Sequence, residues 1–435
     1  MSVKHQTPEH GAGVSRRGFM KHSTAAALAT GAALAQQRSA RAQAKSPNER
    51  IGVGVIGVGG RGNGHLNVLN ELRKQGEVDI VAVCDVYRPR MDRAAERFNA
   101  PGKYMDYREL LEDPKVDLVS IATPDHHHAV QAIDAMRAGK DVYCEKPVTH
   151  WRQFGQIKEL AKVAAETGRV FQLGTQGMSD SAWHQMAGLV KDGIIGQPLL
   201  AECGYFRVGD WGERGMHVDD PNAKPGPDLD WEAFLGDAPK RDFDVSRFFR
   251  WRLYEDYAGG PVTDLYPHSL TPVTNILGVT FPQSAVAIGG IERYDYELRE
   301  VPDTFNLMLD YPGGLSIMVL GTQGNDYSGT GSRGSGGRVP VVRGWDGTLT
   351  VRGEEIVFIP AHGSDKKEQR FAIEKGENML HHYQNLLECV RKGETKTWSP
   401  ADLAYHTQTA LLMGMMAWQK GKTARFDAET ETIVI

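Results

Sequence analysis

Residues 51–62 read IGVGVIGVGGRG, a continuous apolar run that ends in spaced glycines. An apolar run of this length bounded by glycine is typical of a strand that is buried on both faces. Gly57, Gly59 and Gly62 then form a GxGxxG pattern at the point where a helix is expected to begin. Such glycines permit a tight turn and a close approach of the backbone to a pyrophosphate, while the first N–H groups of the helix can donate to the phosphates. The stretch predicts a dinucleotide-binding turn, although a turn that binds nothing can share the pattern.

Outward from this turn, apolar strands alternate with helical patterns. Three further buried strands are predicted at 79–84, 118–122 and 141–144. Strands that alternate with helices indicate a doubly wound parallel sheet, which binds its ligands at the carboxyl ends of the strands. We therefore expect a Rossmann dinucleotide-binding domain over residues 48–174.

An acidic residue stands where the second strand ends. Asp85 follows Gly62 by 23 residues, the place at which a carboxylate accepts a hydrogen bond from a ribose 2′-OH and repels a 2′-phosphate. The sequence therefore favours NAD over NADP as the cofactor, although Arg88 could accommodate a phosphate. Gly60 and Arg61 are assigned to the same cofactor site.

The third strand ends in ATPDHHH, residues 122–128. Thr123, Pro124, His126 and His128 are expected to line the nucleotide crevice, or the histidines cap the next helix. Consecutive residues cannot all point at one ion, and no carboxylate or cysteine lies at ligand spacing, so no metal site is predicted.

The fourth strand is followed by Cys144-Glu145-Lys146-Pro147. A lysine beside a glutamate, fixed by proline near a nicotinamide, can donate to or protonate an oxygen at the carbon that exchanges a hydride. A surface ion pair is the alternative, but the position after a buried strand favours a role for Glu145 in cofactor binding and for Lys146 in both binding and catalysis.

The pattern changes after Gly174. Residues 175–435 predict a substrate-binding and oligomerisation domain of the α+β class, with an open, mainly antiparallel sheet and helices on one face. A long loop is expected at 209–244, which is rich in Gly, Pro and Asp, and another at the Gly- and Ser-rich stretch 326–338.

The first 42 residues indicate export. Ser15-Arg16-Arg17-Gly18-Phe19-Met20-Lys21 is a twin-arginine signature, an Ala-rich run covers 25–35, and Ala40-Arg41-Ala42 is a cleavage pattern. The run is too short to span a bilayer, so we expect a signal peptide over 1–42 and a periplasmic or secreted protein without stable membrane association. An amphipathic leading helix is the alternative.

The charge of the remaining chain excludes one class of partner. Six Lys or Arg lie in the first 42 residues, which leaves 44 basic against 54 acidic residues, a net charge of −10. Such a body is unsuited to binding nucleic acid through general electrostatics.

Taken in order, these motifs resemble those of the Gfo/Idh/MocA family, which includes glucose–fructose oxidoreductase and inositol dehydrogenase. The resemblance covers roughly residues 50 to 420 and is carried by GVGGRG, Asp85, IATPDHHHA, YCEKP, the GTQ that ends at Gln176, and GGPVTDLYPH at 259–268. It implies that Lys146, Asp264 and His268 are the catalytic groups and that Gln176 lies at the cofactor. It also implies a homo-oligomer, a dimer or a tetramer.

Two residues depart from the family pattern. A helix would place Asp264 and His268 on one face, with Asp264 orienting the imidazole, but Pro267 cannot lie inside a helix. Either a helix begins within a turn of Pro267, or an irregular segment presents the pair. Thr271 stands where many members carry an acidic residue.

Several aromatic residues could offer platforms for a sugar, although core packing explains each equally well: Trp183, His184, Tyr205, Trp211 and Trp251.

We therefore expect an exported NAD-dependent oxidoreductase that acts on a carbohydrate or glycoside by hydride transfer at a sugar carbinol. An exported dehydrogenase that released NADH has no obvious supply of NAD, so a tightly bound cofactor that is oxidised and reduced in one cycle is expected. Sugar–sugar oxidoreduction meets this condition. So does a redox-neutral glycosidase resembling the NAD-dependent α-N-acetylgalactosaminidases, which oxidises, eliminates, hydrates and reduces. A non-catalytic nucleotide-binding sensor or scaffold is the alternative from another class.

Overall fold

Six parallel strands form the first sheet of the computed structural model, which describes residues 50–210, 212–296, 298–335 and 337–435. The strands are β1 (Ile51–Ile56), β2 (Val78–Cys84), β3 (Gly102–Tyr104), β4 (Leu118–Ile121), β5 (Asp141–Cys144) and β6 (Phe171–Leu173). Their order is β3-β2-β1-β4-β5-β6, so the winding direction reverses between β1 and β4. Doubly wound sheets bind ligands outside the carboxyl ends of the strands at such a reversal.

Five helices connect these strands: α1 (Gly60–Lys74), α2 (Arg88–Phe98), α3 (Tyr107–Glu112), α4 (Asp125–Arg137) and α5 (Phe154–Thr167). All six residues of β1 are buried. Its Val53 and Val55 lie in one core cluster with Leu66 and Leu69 of α1, which is the packing that the apolar run predicts.

A larger sheet of thirteen strands follows. Its strands are β7 (Pro198–Val208), β8 (Ser284–Gly290), β9 (Thr304–Tyr311), β10 (Leu315–Thr322), β11 (Gly324–Asn325), β12 (Ser332–Arg333), β13 (Gly337–Arg338), β14 (Val341–Gly344), β15 (Gly347–Arg352), β16 (Glu355–Pro360), β17 (Gln369–Ala372), β18 (Ala424–Asp427) and β19 (Thr432–Val434). The main path runs β17-β16-β15-β14-β7-β10-β9-β8-β18-β19. Most neighbours are antiparallel, while β7 and β10 are parallel.

Seven helices accompany this sheet in the described part of the chain: α6 (Ser181–Lys191), α7 (Trp231–Leu235), α8 (Val245–Phe249), α9 (Pro261–Asp264), α10 (Tyr266–Leu277), α11 (Met379–Lys392) and α12 (Ala401–Lys420). Side chains of α6, α10 and α12 share one apolar core with the inward-facing residues of the strands. Val286 of β8 pairs with Met308 of β9 on the outward side of the sheet, where both are exposed.

The last two helices also reach back to the parallel sheet. Tyr383 of α11 stacks on Tyr143 of β5, with ring centroids 4.2 Å apart, and its hydroxyl lies 2.8 Å from Ser120 Oγ in β4. Ala404 and Tyr405 of α12 lie in a core cluster with residues of β4, β5 and α5. The carboxyl-terminal segment thus completes the core around the first sheet.

The observed architecture confirms the predicted fold class, a doubly wound parallel sheet followed by an α+β part with a mainly antiparallel sheet. The predicted loops at 209–244 and 326–338 are corrected: the first contains α7, and the second contains β12 and β13. Elements of two to five residues have too little periodicity for the sequence pattern to detect them. The predicted signal peptide at 1–42 lies outside the described residues.

Candidate active site

A cleft of about 1130 Å³ runs along the carboxyl ends of the parallel strands. One wall is formed by the glycine-rich turn, the end of β2 and the start of α4, and the other by residues of segment 212–252, which follows β7. Eight residues predicted to hold the cofactor line the cleft: Gly57, Gly59, Gly60, Arg61, Asp85, Thr123, Pro124 and His126. Five others lie outside the lining: Gly62, His128, Glu145, Lys146 and Gln176.

The glycines of the turn serve two different purposes. Gly57 has a φ of +81°, and a Cβ on Gly62 would lie 1.8 Å from the carbonyl oxygen of Gly57. These two glycines are therefore required by the turn itself. A Cβ on Gly59 would meet only the tip of the Arg90 side chain, at 3.3 Å, and one on Gly60 would meet nothing within 4 Å. At these positions the backbone faces open space beside the first N–H groups of α1, which suits the approach of a pyrophosphate.

Asp85 ties the end of β2 to the glycine-rich turn. Its Oδ2 accepts from the backbone N–H of Val58 and its Oδ1 from that of Tyr87, each at 2.9 Å. Burial raises the pKa of Asp85, and the charge of Arg90 opposes that shift. Each carboxylate oxygen keeps a further lone pair, so the side chain that borders the cleft can still accept from a ribose hydroxyl. The turn and this carboxylate fit a dinucleotide.

Arg90, Arg93 and Arg97 of α2 border the cleft, whereas Arg88 does not. Arg88 lies 3.1 Å from Asp228 and donates to the carbonyl oxygen of Pro227, away from the cleft lining. Arg90 lines the cleft and forms an ion pair with Asp219. The sequence indicated a cationic residue after Asp85, but which arginines face the cleft depends on their direction from α2.

The histidines after β4 bind backbone carbonyl groups. His126 Nε2 lies 2.8 Å from the carbonyl oxygen of Phe234 in α7. The ring nitrogens of His128 lie 2.7 Å and 2.6 Å from the carbonyl oxygens of Thr123 and Pro147. His126 thus joins the two walls of the cleft, while His128 fixes the loops beneath it. Across the described residues, no group of three or more His, Cys, Asp or Glu is placed to hold a metal ion.

Two of the residues predicted to be catalytic form an ion pair. The ammonium group of Lys146 donates to both the carbonyl oxygen and the Oδ1 of Asp264, at 2.6 Å and 2.7 Å. Arg252 Nε donates to the same Oδ1 at 3.3 Å. Burial alone would raise the pKa of Asp264, but the charges of Lys146 and Arg252 hold it well below its usual value. The centre is therefore an ionised carboxylate that positions a buried lysine.

His268 approaches this centre from a separate helix. Helix α9 ends at Asp264 and α10 begins at Tyr266, so that Pro267 lies in the first turn of α10. This arrangement confirms the alternative in which a helix begins within a turn of Pro267. Within the described chain no hydrogen bond joins Asp264 to His268, although the charge of Asp264 acts to raise the pKa of the imidazole; that Asp264 orients the imidazole stays a prediction. The backbone break between the helices gives each side chain its own direction.

The imidazole of His268 is neutral and has a free nitrogen. Burial and the charge of Lys146 lower its pKa to about 3. Its Nδ1 is buried, without a hydrogen-bond partner in the described part of the chain. His268 borders a cavity of about 20 Å³ together with Trp183 of α6, Arg338 and Glu377. A neutral imidazole beside a lysine can accept a proton from a bound hydroxyl group.

Arg61 binds both Glu145 and Gln176. Glu145 Oε1 accepts from Arg61 Nε at 2.8 Å and lies 2.9 Å from His65 Nε2, while Arg61 Nη2 donates to Gln176 Oε1 at 3.2 Å. Although burial opposes its ionisation, Arg61 and His65 hold the pKa of Glu145 well below its usual value. These residues form a partly buried frame that fixes the glycine-rich turn relative to Lys146.

Two buried carboxyl groups near the centre were not predicted. Asp125 Oδ2 accepts from Thr263 Oγ1 at 3.1 Å, and its pKa is raised to about 7, chiefly by burial. Glu213 accepts from Gln323 Nε2 at 2.9 Å and 3.0 Å, and burial and the charge of Asp264 raise its pKa. Asp125 lies inside the ATPDHHH motif, which gives a signal for it. Glu213 lies in a long connection without a motif.

The aromatic residues divide between the two regions. Trp251 lines the large cleft and Trp183 the small cavity. His184 Nε2 lies 2.8 Å from the carbonyl oxygen of Met178. The hydroxyl of Tyr205 donates to the carbonyl oxygen of Ser335. Trp211 lies outside the described residues.

Among the helices that the structure describes, none combines the length and the apolar character required to cross a membrane.

Two family models match this chain. The oxidoreductase family model for the NAD-binding Rossmann fold matches residues 51–175, and the oxidoreductase family model for the C-terminal alpha/beta domain matches residues 180–345. Both belong to the family called Gfo/Idh/MocA. Together they cover most of the described chain.

Three known proteins give the range of the similarity. An inositol 2-dehydrogenase of Salmonella typhimurium is 28% identical over 225 residues, which are 51% of this chain and 60% of that protein. A glycosyl hydrolase family 109 protein 1 of Shewanella sp. strain MR-4 is 29% identical over 224 residues, 46% of this chain and 47% of that protein. The structure of a levoglucosan dehydrogenase in complex with NADH and levoglucosan has a TM-score of 0.62 at 18% identity, covering 89% of this chain and 99% of the other. This last likeness concerns the fold.

Proposed function

This chain belongs to the Gfo/Idh/MocA family of NAD-binding oxidoreductases, and we propose that it transfers a hydride between NAD and a carbinol carbon of a carbohydrate or glycoside. The observation that carries the proposal is the placement of Lys146, Asp264 and His268. A buried lysine held by a carboxylate and a neutral imidazole with a free nitrogen are the groups that moving a hydroxyl proton requires.

The two groups have different roles in this proposal. Two of the three N–H bonds of Lys146 are directed at Asp264, which leaves the third for a substrate oxygen. His268 accepts the hydroxyl proton through its free Nδ1. NAD supplies the hydride acceptor, so the balanced products are a carbonyl compound, NADH and a protonated His268. In the reverse direction His268 returns the proton while Lys146 holds the oxygen.

NAD is the proposed cofactor rather than NADP. Asp85 is buried at the cleft and is fixed by two backbone N–H groups. A carboxylate in this position accepts from a 2′-OH and repels a 2′-phosphate.

We further propose that the cofactor is tightly bound and that the protein is exported to the periplasm or secreted. Residues from segment 212–252 form one wall of the cleft, which supports slow release of a bound nucleotide. The twin-arginine signature at 15–21 supports export, and a cofactor cycled in place would need no external supply.

The test follows the cofactor and the substrate together. Purified protein is denatured and its supernatant is examined for NAD by mass spectrometry, and native protein is then given free sugars or p-nitrophenyl glycosides at the NADH absorbance band. We expect NADH formed in an amount equal to the protein, and its disappearance when a second sugar in the keto or aldehyde form is added. Absence of both bound nucleotide and NAD binding would refute the proposal.

A redox-neutral glycosidase is the second candidate, favoured by the similarity to the Shewanella glycosyl hydrolase family 109 protein. In the same assay it would release p-nitrophenol without net NADH. A nucleotide-binding sensor would bind NAD and change no sugar at all. The three functions therefore give three different results in this assay.

We also propose a homo-oligomer, a dimer or a tetramer, joined through the outward face of the large sheet. Val286, Ile288 and Met308 are exposed there, Ile288 to 79%, and apolar patches of this kind mark protein interfaces. Light scattering should show that Ile288→Lys lowers the oligomer mass, whereas Tyr327→Lys, at an exposed aromatic residue in the 326–338 segment, should not. Equal masses for wild type and Ile288→Lys would refute this interface.

A further inference from the structure

We propose that Asp219 determines the preference for NAD by occupying the guanidinium groups of two arginines that border the cleft. The inference rests on the proposed binding of a nicotinamide nucleotide and concerns which one is bound. Asp219 lies in the connection between β7 and α7, far in sequence from the glycine-rich turn and from Asp85, but it borders the same cleft.

Asp219 binds two of the three arginines of α2 that line the cleft, Arg90 and Arg93, while the third, Arg97, donates to Asn67 Oδ1 at 3.0 Å. Arg90 donates to it through two nitrogens, Nε to Oδ2 at 3.1 Å and Nη2 to Oδ1 at 3.0 Å. Arg93 Nη2 donates to Oδ2 at 2.5 Å. The two cations hold the pKa of Asp219 below its usual value although burial opposes this. The carboxylate is therefore ionised and shared between two guanidinium groups.

Arg90 lies where a 2′-phosphate would be recognised. Its Nη1 is 3.3 Å from the position of a Cβ on Gly59, and its charge interacts with Asp85, the residue proposed to bind the ribose. Its guanidinium also lies over the ring of Phe249, 5.0 Å from the centroid. Guanidinium groups that border the cleft beside Asp85 are suited to binding a phosphate.

The ion pair with Asp219 limits the ability of Arg90 to bind a 2′-phosphate. The side chains of Arg90 and Asp219 are only 19% and 11% exposed, so solvent screens their interaction less than it screens a surface pair. A bidentate pair fixes the guanidinium plane and consumes two of its donors. A 2′-phosphate would have to compete with Asp219 for Arg90 and would also meet the charge of Asp85. Two carboxylates from distant parts of the chain thus oppose the same phosphate.

The decisive variant is Asp219→Asn, which keeps the size of the side chain and removes its charge. Asp228→Asn is the matched control, because Asp228 lies in the same connection and pairs with Arg88 at 3.1 Å but does not line the cleft. Nucleotide is removed from each protein, and dissociation constants for NAD and NADP are measured by calorimetry. We expect Asp219→Asn to shift the ratio of the two constants at least tenfold towards NADP, and Asp228→Asn to shift it less than twofold.

A second variant keeps the test valid if Asp219→Asn perturbs the loop. Adding both Arg90→Met and Arg93→Met to Asp219→Asn should cancel the gain in NADP affinity, since the two freed cations are then absent. An unchanged ratio in Asp219→Asn, or an equal weakening of both nucleotides, would overturn the role of Asp219 while leaving the proposed function intact. A wild-type protein that binds neither nucleotide would refute the proposed function and this inference with it.

Discussion

The nucleotide cleft and the Lys146–Asp264 centre lie close together but are built in opposite ways. The cleft has a volume of about 1130 Å³ and presents backbone at Gly59 and Gly60 to open space. At the centre the charged groups contact one another, and the neighbouring cavity measures about 20 Å³. A ligand held by backbone N–H groups needs room, whereas buried charges need partners. The comparison teaches that open space marks the proposed cofactor site and that paired charges mark the proposed chemical site.

The sharpest test of the paired centre is to remove its cation. We expect Lys146→Met to lower kcat about a hundredfold or more, the effect of losing a positioned acid, while the dissociation constant for NAD changes by less than about threefold because the residue lies outside the cleft lining. His268→Asn should give a loss of similar size, since the proton acceptor is lost. Lys140→Met is the control, because Lys140 donates only to the carbonyl oxygens of Asp113 and Val116. Near-wild-type turnover in both variants would show that Lys146 and His268 do not carry the proposed chemistry.

Alanine substitutions test the open cleft. Gly62→Ala should lower the Tm and abolish nucleotide binding, because its Cβ would lie 1.8 Å from the carbonyl oxygen of Gly57. Gly59→Ala should leave the Tm within about 2 °C of wild type but weaken NAD binding about tenfold or more, since the added methyl group occupies the approach of the pyrophosphate. Thermal scans and calorimetry on each variant separate the two effects. Wild-type NAD affinity in Gly59→Ala would place the phosphates elsewhere.

A pH-dependent stability difference tests the buried charges. The pKa of Asp125 is raised to about 7, above that of an unfolded aspartate, so the folded protein binds more protons between about pH 4 and pH 7 and loses stability as the pH rises through that window. Asp125→Asn removes this loss. We expect its Tm to match wild type near pH 4 and to exceed it by about 3 °C at pH 8. The exposed Asp228→Asn should show no such trend, and a constant difference across the pH range would argue against an ionising Asp125.

The smallest expected effect concerns Arg88. Because it pairs with Asp228 and does not line the cleft, Arg88→Ala should change the ratio of NAD to NADP affinity by less than about twofold. Competition between the two nucleotides, followed by fluorescence, gives that ratio directly. A large change would mean that the side chain leaves Asp228 when nucleotide binds.

The cleft was largely predictable because its determinants are local. The glycine-rich turn, Asp85 and the ATPDHHH stretch each follow a strand of the parallel sheet, so strand order alone brings them to one edge. Lys146 was predictable for the same reason. Arg252, Glu213 and Asp219 lie in connections without periodicity, and their contacts depend on how the chain returns after β7. The direction of His268 depended on the break between α9 and α10, which Pro267 signalled without fixing its position.

The packing of the carboxyl-terminal helices against the first sheet has a consequence for folding during translation. Tyr383 of α11 stacks on Tyr143, and its hydroxyl reaches Ser120 in the same core that supports the glycine-rich turn. During translation the parallel strands leave the ribosome long before that helix does, so the nascent chain holds an incomplete core. A polypeptide cut short before residue 379 would lack the helix that closes it. The core behind the glycine-rich turn is therefore complete only once the chain has been translated through residue 392.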